Sequence, residues 1–294
     1  MQTASVVIAT RNRAALLDNC LASLQRQSAG SSFEVVVVDN GSTDATSEVI
    51  ARHAQQGMDV RTTRVAEPNR AKARNAGIRL TRGELTIFCD DDTLAPLHFV
   101  ASHISSHPAR GGAVVAGPII DILDPADRVA PAARHYSRAY FCTCNASVAK
   151  ADLEAVGGFD ERYDLYGWED TDLGIRLRAR GLRRTFSWQA FIYHIKPPSS
   201  EDYQLRRELA REKGKMAARF VRKAPTWPVR LATGAYGLNF LRASLVGARP
   251  LRLACEKLMR SPRSSAALRR LARETLLDAA YIDALRAGLR SARG

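Results

Sequence analysis

Short apolar runs rich in β-branched residues, at 5–9, 35–38, 60–65 and 85–89, alternate with helical patterns at 16–24, 43–54 and 70–80. That alternation constrains the fold more than any other feature, because parallel strands need long crossovers, and strands covered on both faces read as continuous apolar runs. A further run, Ala113-Val114-Val115-Ala116, extends the series. The expected architecture is an open, mainly parallel α/β sheet flanked by helices. Ligands bind such sheets at the carboxyl ends of the strands. Here those ends are polar: Thr10-Arg11-Asn12, Asp39-Asn40-Gly41-Ser42 and Asp90-Asp91-Asp92.

The acid run follows Leu85-Thr86-Ile87-Phe88-Cys89 directly. Two carboxylates 4 Å apart repel by roughly 4 kcal/mol at an effective dielectric of about 20, so crowding three of them needs a reason. A divalent cation is one. Oxygen ligands on a short loop suit Mg²⁺ or Mn²⁺, which commonly shares its remaining positions with substrate phosphates. The alternative is that one Asp caps a helix near Thr93-Leu94-Ala95-Pro96 while the others stay solvated.

Farther along, 118–135 reads as an irregular loop, 139–148 as extended, Gly157-Gly158 as a break, and 169–180 as a helix. Pro197-Pro198 is expected to close the compact part, and helical patterns at 202–222, 228–246 and 264–290 follow. Charge divides at the same place. Residues 1–200 hold 23 Lys+Arg and 22 Asp+Glu, whereas 201–294 hold 21 and 8, so nearly all of the net +14 lies in the tail. A basic tail serves nucleic acid, anionic lipid or an acidic partner, or is simply a solvated helical face. Its aromatics are too scattered for a stacking platform and no nucleic-acid motif is present, so no nucleic-acid partner is expected.

The segment 227–247 contains Arg230 and Arg242, each costing about 2.5–3.5 kcal/mol at a bilayer centre, which argues against spanning. It reads either as an amphipathic helix on a membrane, with Trp227, Tyr236 and Phe240 as anchors, or as a helix packed on the catalytic part or a second subunit. Peripheral membrane contact and a homo-oligomer are both compatible. The N-terminus shows no charged region followed by a long apolar core, so the expected location is cytoplasmic, with peripheral contact on the inner face of the membrane. Five scattered cysteines lack zinc spacing and read as reduced; Cys142 and Cys144, flanking Thr143, are expected on one strand face in the core.

Taken together the landmarks resemble family 2 glycosyltransferases of the GT-A fold, over about residues 3–196. The resemblance is carried by Ser5-Val6-Val7-Ile8-Ala9-Thr10-Arg11-Asn12-Arg13, Val36-Val37-Val38-Asp39-Asn40-Gly41-Ser42-Thr43-Asp44, Ala73-Arg74-Asn75-Ala76-Gly77, the triple Asp, Gly157-Gly158-Phe159-Asp160-Glu161 and Gly167-Trp168-Glu169-Asp170-Thr171-Asp172-Leu173. It implies a mixed, mostly parallel sheet and leaves the basic tail unexplained; with the charge division and the helical patterns, the expected domains are a catalytic one over 1–200 and a basic helical extension over 201–294.

Such an enzyme takes a nucleoside-diphosphate sugar as donor. Thr10 and Asp39, at adjacent strand ends, could bond the base, an Asp there reading an N–H such as that of uracil or thymine. Arg11 and Asn12 share that strand end and join the expected donor set. Asp39 with Ser42 also fits an Asx-type turn, and both roles are compatible. No G-x-G-x-x-G follows the first strand, which argues against a nicotinamide site. Resemblance places Arg74 in the donor pocket, Asp90 on the ribose and Asp92 on a metal bridging the diphosphate, with Asp91 beside them. It also offers His194 as a further metal ligand. A metal there is a Lewis acid for the leaving diphosphate.

Asp170 is the expected general base, within reach of an attacking sugar hydroxyl, and Glu169 its orienter or an acceptor contact. Trp168 offers an apolar face for sugar stacking or belongs to the core, and Asn145 is placed at the sugar pocket. Asp172 is expected to cap or pair on its helix. One base and no second nucleophile imply inversion at the anomeric carbon. Nucleotidyl transfer is disfavoured because Thr10-Arg11-Asn12-Arg13-Ala14 is not a phosphate-cradling glycine loop. The acceptor is a hydroxyl of unspecified class.

Overall fold

The computed structural model describes residues 3–28, 33–108, 111–196 and 202–291. They fall into two compact units, Met1–Asp164 with Glu169–Pro197, and Leu165–Trp168 with Pro198–Gly294. The expected closing pair Pro197-Pro198 lies outside the described residues.

In the first unit, β1 (Ala4–Thr10), β2 (Phe33–Asp39), β3 (Val60–Arg64) and β4 (Leu85–Cys89) form the sheet the alternation predicts, joined by α1 (Ala14–Gln25), α2 (Thr46–Gln55) and α3 (Arg70–Leu80). The sheet continues through β8 (Asn145–Ala149), β6 (Ala113–Ala116) and β9 (Arg183–Phe186), in the order β3-β2-β1-β4-β8-β6-β9. All neighbours are parallel except β8, which runs antiparallel to both β4 and β6. The carboxyl ends of β1, β2, β4, β6 and β9 therefore share one edge.

Strand side chains alternate between two cores. Val6, Ile8, Val35, Val37 and Ile87 pack with Leu17, Leu21 and Leu24 of α1, Val49 and Ile50 of α2, and Phe99 of α4 (Phe99–Ser106). On the other face Val7, Val36, Val38 and Phe88 meet Ala71, Ala73 and Ile78 of α3 and Leu173 and Leu177 of α6 (Glu169–Ala179). Gly77 lets α3 sit tight on the sheet, since a Cβ there would lie 2.5 Å from a Val7 methyl carbon.

Four differences from the sequence reading matter. The loop at 118–135 contains a strand, β7 (Ile119–Ile122), which pairs with β10 (Ile192–Ile195), itself paired to the two-residue β5 (Thr93–Leu94). The extended segment begins only at Asn145, so Cys142 and Cys144 precede the strand, in a turn closed by Asn145 N–H to the Cys142 carbonyl. Short helices α4 and α5 (Lys150–Ala155) follow patterns too brief for a clear period.

The fourth difference lies in the second unit, where 228–246 is two helices, α8 (Trp227–Thr233) and α9 (Gly237–Val246). They are separated at Gly234, whose φ of 72° places it in the left-handed region that ends helices. With α7 (Tyr203–Lys223), α10 (Arg249–Arg260) and α11 (Ala266–Arg290), the unit is wholly helical beyond residue 202 among the described residues. Ion pairs Arg206–Glu274, Arg242–Asp278 and Arg252–Asp283 tie α7, α9 and α10 to α11. No helix of the described residues is long and apolar enough to cross a membrane.

Candidate active site

The register aligns Thr10 with Asp39, and the acid run emerges from β4 beside β1. Asp91 is buried with both oxygens bound, Oδ2 accepting from Thr10 Oγ1 at 2.8 Å and Oδ1 from Arg13 Nη1 at 3.0 Å. Burial, with Asp92 and Asp90 nearby, lifts its carboxyl to about 6 despite the pull of Arg13. The same Arg13 nitrogen reaches Asp92 Oδ2 at 2.9 Å. Arg13 thus bridges two of the three acids, a role the sequence reading missed. The signal was available: the acid run needs a cation, and Arg13 stands at the neighbouring strand end.

The other oxygen of Asp92, Oδ1, is buried without a hydrogen-bond partner and lies 3.2 Å from His194 Nε2. Asp121, on β7, takes the far side of that ring at 3.0 Å from Nδ1, which orients Nε2 toward Asp92. Burial opposes charging His194, but Asp92 wins and raises its pKa; Asp92 is in turn held low by His194 and Arg13 against its own burial. Asp92 Oδ1 and, once deprotonated, His194 Nε2, braced by Asp121, are two donors that would fit a divalent cation such as Mn²⁺. No preassembled cluster of three ligating side chains exists among the described residues.

Arg74 connects the two acid groups. Its guanidinium, largely buried on α3, lies 3.1 Å from Glu169 Oε1, 3.9 Å from Asp170 Oδ1 and 3.5 Å from Asp90 Oδ1. Phe159 lies beneath it at 5.7 Å, and Asn75 clamps that segment through hydrogen bonds to Phe159 N and O and to Glu161 Oε1. Burial opposes its charge, but Asp170, Asp90 and Glu169 hold the proton firmly.

Glu169 and Asp170 open α6, where the helix N-terminus favours negative charge. Thr143 N and Oγ1 donate to Asp170 Oδ2 at 2.9 and 3.0 Å, leaving Oδ1 buried without a hydrogen-bond partner. Burial first, then Glu169, lifts Asp170 to about 6 against the pull of Arg74. A fixed carboxylate with one uncommitted oxygen and a pKa near neutrality has the properties of a general base. Thr143 was unrecognised because its partner lies far along the chain. Asp172 pairs with Arg176 one turn on, as expected.

Other expected site residues sit differently. Asp39 Oδ1 accepts from Ser42 N at 2.7 Å, the Asx-type turn, while Oδ2 lies 3.5 Å from Arg64. Asn12 adopts φ 52°, and its Oδ1 accepts from Thr43 N, so the side chain knits two strand-end loops together. Arg11 is exposed at the end of β1. Asn145 is not available to a sugar: it is buried, its Nδ2 donating to the Pro118 and Ala190 carbonyls and its Oδ1 bonded to His103 Nε2. Of the two readings of Trp168, the packed one describes its contacts. It packs within the helical unit, its indole N–H donating to the Lys213 carbonyl and its ring against Phe220.

Comparison with known proteins shows the family and the fold. The profile described as glycosyl transferase family 2 matches residues 5–159, and one described as the N-terminal domain of galactosyltransferase matches 127–197. Validoxylamine A glucosyltransferase of Streptomyces hygroscopicus subsp. jinggangensis is 34% identical over 230 residues, covering 64% of this chain and 54% of the relative. The chain spans about half the length of the first curated relatives it matches. Among solved structures, mannosyltransferase PcManGT from Pyrobaculum calidifontis, in complex with GDP-Man and Mn²⁺, superposes with a TM-score of 0.63 at 22% identity, over 99% of this chain and 88% of that one. S. aureus TarS 1-349 with UDP-GlcNAc gives 0.57 at 20% identity, over 100% and 92%. The fold is GT-A.

Proposed function

We propose that this chain, which belongs to glycosyl transferase family 2, moves a sugar from a nucleoside-diphosphate sugar to an acceptor hydroxyl with inversion, using Asp170 as general base. The observation that carries it is the Arg74 guanidinium, which gathers Asp90 from the acid run and Glu169 and Asp170 from α6 around one point.

The donor's base lies at the β1 and β2 ends, near Thr10 and Asp39, and uracil or thymine suits the Asp39 acceptor. Asp90 faces the ribose, and Asp92 with His194 would hold Mn²⁺ or Mg²⁺. When bound, such a cation supplies Lewis-acid neutralisation of the leaving diphosphate. The acceptor oxygen attacks the anomeric carbon as the bond to the phosphate oxygen breaks. Its proton passes to Asp170 Oδ1, and the bonding pair leaves with the nucleoside diphosphate. Thr143 fixes the base, and Arg74 with Glu169 sets its orientation and pKa. One displacement by one nucleophile inverts the configuration.

The relatives supply context. The validoxylamine A glucosyltransferase match, and structures solved with GDP-Man or UDP-GlcNAc, support a nucleotide-sugar donor without choosing the sugar. The test is a panel of UDP- and dTDP-sugars assayed with Mn²⁺, Mg²⁺ or EDTA, with the product's anomeric configuration read by NMR. Turnover insensitive to EDTA, or retention of configuration, overturns the reading.

A further inference from the structure

Beyond that reaction, we propose that the α8–α9 face of the helical unit docks on a lipid surface bearing anionic headgroups. Solvated helices keep most apolar residues inward, but α9, besides buried Ala243 and half-buried Phe240 and Val246, also turns leucines outward. Leu238, Leu241 and Leu245, at i, i+3 and i+7 on one face, are 75%, 60% and 69% exposed. On α8, Trp227 is 60% exposed and Leu231 stands one turn away, also exposed. Trp227, Leu231 and Leu238 line one shallow cavity of about 510 Å³ together with Tyr236, whose ring centroid is 6.3 Å from that of Trp227. The two short helices thus present one apolar surface.

The charge beside that surface names the occupant. A neighbouring cavity of about 720 Å³ is lined by Arg222, Arg230, Arg286 and Arg290 together with Phe240 and Leu241, and no carboxylate lines either cavity. In sequence the stretch 213–255 holds nine Lys+Arg and no Asp or Glu. A partner must therefore be apolar and anionic at once. A nucleic acid gives the charge without the apolar layer, whereas a bilayer interface gives both, with the leucines and tryptophan below the headgroups and the arginines among their phosphates. No described helix is long and apolar enough to cross a membrane, and the proposed contact is through the surface of α8 and α9.

The test uses the full chain and vesicles of phosphatidylcholine alone or mixed with phosphatidylglycerol, read by co-sedimentation across a salt series. Binding is expected to the mixed vesicles only, to fall steeply with salt, and to weaken at least about tenfold in Leu238→Glu/Leu241→Glu and in Arg230→Glu/Arg290→Glu. Circular dichroism confirms that these surface variants fold, and turnover with a soluble acceptor should be unchanged. Failure to bind mixed vesicles, equal binding to neutral ones, or variants that bind like wild type would overturn the inference. So would the leucine variant converting a dimer to a monomer with vesicle binding intact, or salt-dependent RNA binding lost in the same variants. None of these outcomes touches the sugar-transfer assay, so this proposal and the proposed reaction fail separately.

Discussion

Replacing Asp170 by Asn separates the base from the carboxylate's structural role. The Asn carbonyl can still accept from Thr143 N and Oγ1, which hold Asp170 Oδ2 at 2.9 and 3.0 Å. An amide N–H₂ then takes the place of Oδ1 and cannot accept a proton. General-base catalysis contributes about 10²–10⁴-fold, so kcat should fall by that factor, or roughly 3–5 kcal/mol of barrier. Stability should move the other way. Lifting the carboxyl from 3.8 to about 6 means that its ionised form costs the folded state on the order of 3 kcal/mol, at about 1.4 kcal/mol per pH unit. The neutral amide escapes that cost. The sign follows from proton counts: between pH 4 and 6 the folded wild type binds the extra proton, so its handicap is full above about 6 and gone below about 4. Asp170→Asn should therefore melt higher than wild type at pH 8, by several degrees at about 2–4 °C per kcal/mol, and equally at pH 4. Nucleoside diphosphate release and thermal melts at three pH values check this. Turnover near the wild-type rate would place the base elsewhere, and a lower melting point at pH 8 would refute the charge-crowding argument.

Arg74→Met should abolish turnover and, by stranding Glu169, Asp170 and Asp90 around an apolar side chain, cost about 3–5 kcal/mol in urea unfolding; adding Asp170→Asn should restore part of that stability but no activity. Asp92→Ala should lower the melting point, since Arg13 and His194 lose the buried carboxylate they pair with, and should also lose the additional stabilisation that Mn²⁺ with UDP gives the parent, read by thermal shift. His103 and His107, both bonded to Ser147 Oγ and depressed by burial to about 3 and about 4, should show no NMR titration near 6.5. The unfolded chain protonates first, so each imidazole withdraws roughly 2 kcal/mol of stability by pH 5; a His103 midpoint of 6–7 would contradict the closed network.

What could be read before the fold follows the range of the interactions. Strands β1 to β4 were legible because a strand buried on both faces must be apolar throughout, and the polar residues that follow it mark the ligand edge. The small sheet was not. A two-residue strand such as β5 has no period, and β7 pairs with a strand about seventy residues away. Asn145 illustrates the same limit: the sequence reading set it at the sugar pocket, but a buried amide goes wherever its hydrogen bonds can all be satisfied. Trp168 likewise stands one peptide bond from Glu169 and still packs against a helix that begins at residue 203.

The charge at the site carries the functional argument further than any single contact. Five carboxylates, Asp90, Asp91, Asp92, Glu169 and Asp170, face two guanidiniums, Arg13 and Arg74. The carboxylates outnumber the guanidiniums by three, and lifting Asp91 and Asp170 toward neutrality, with His194 charged, removes most or all of that excess. A buried guanidinium set among acids contributes little net stability compared with apolar packing, so its retention calls for another reason. A nucleoside diphosphate brings about two more negative charges to such a cleft. A site evolved for anions alone would use arginines and glycine-loop amides in excess; this one holds more carboxylates than guanidiniums, and three buried carboxylate oxygens, Asp92 Oδ1, Glu169 Oε2 and Asp170 Oδ1, lack a hydrogen-bond donor. On the proposed reading a divalent cation would offset both the acids and the diphosphate, so metal and donor should each raise the protein's affinity for the other.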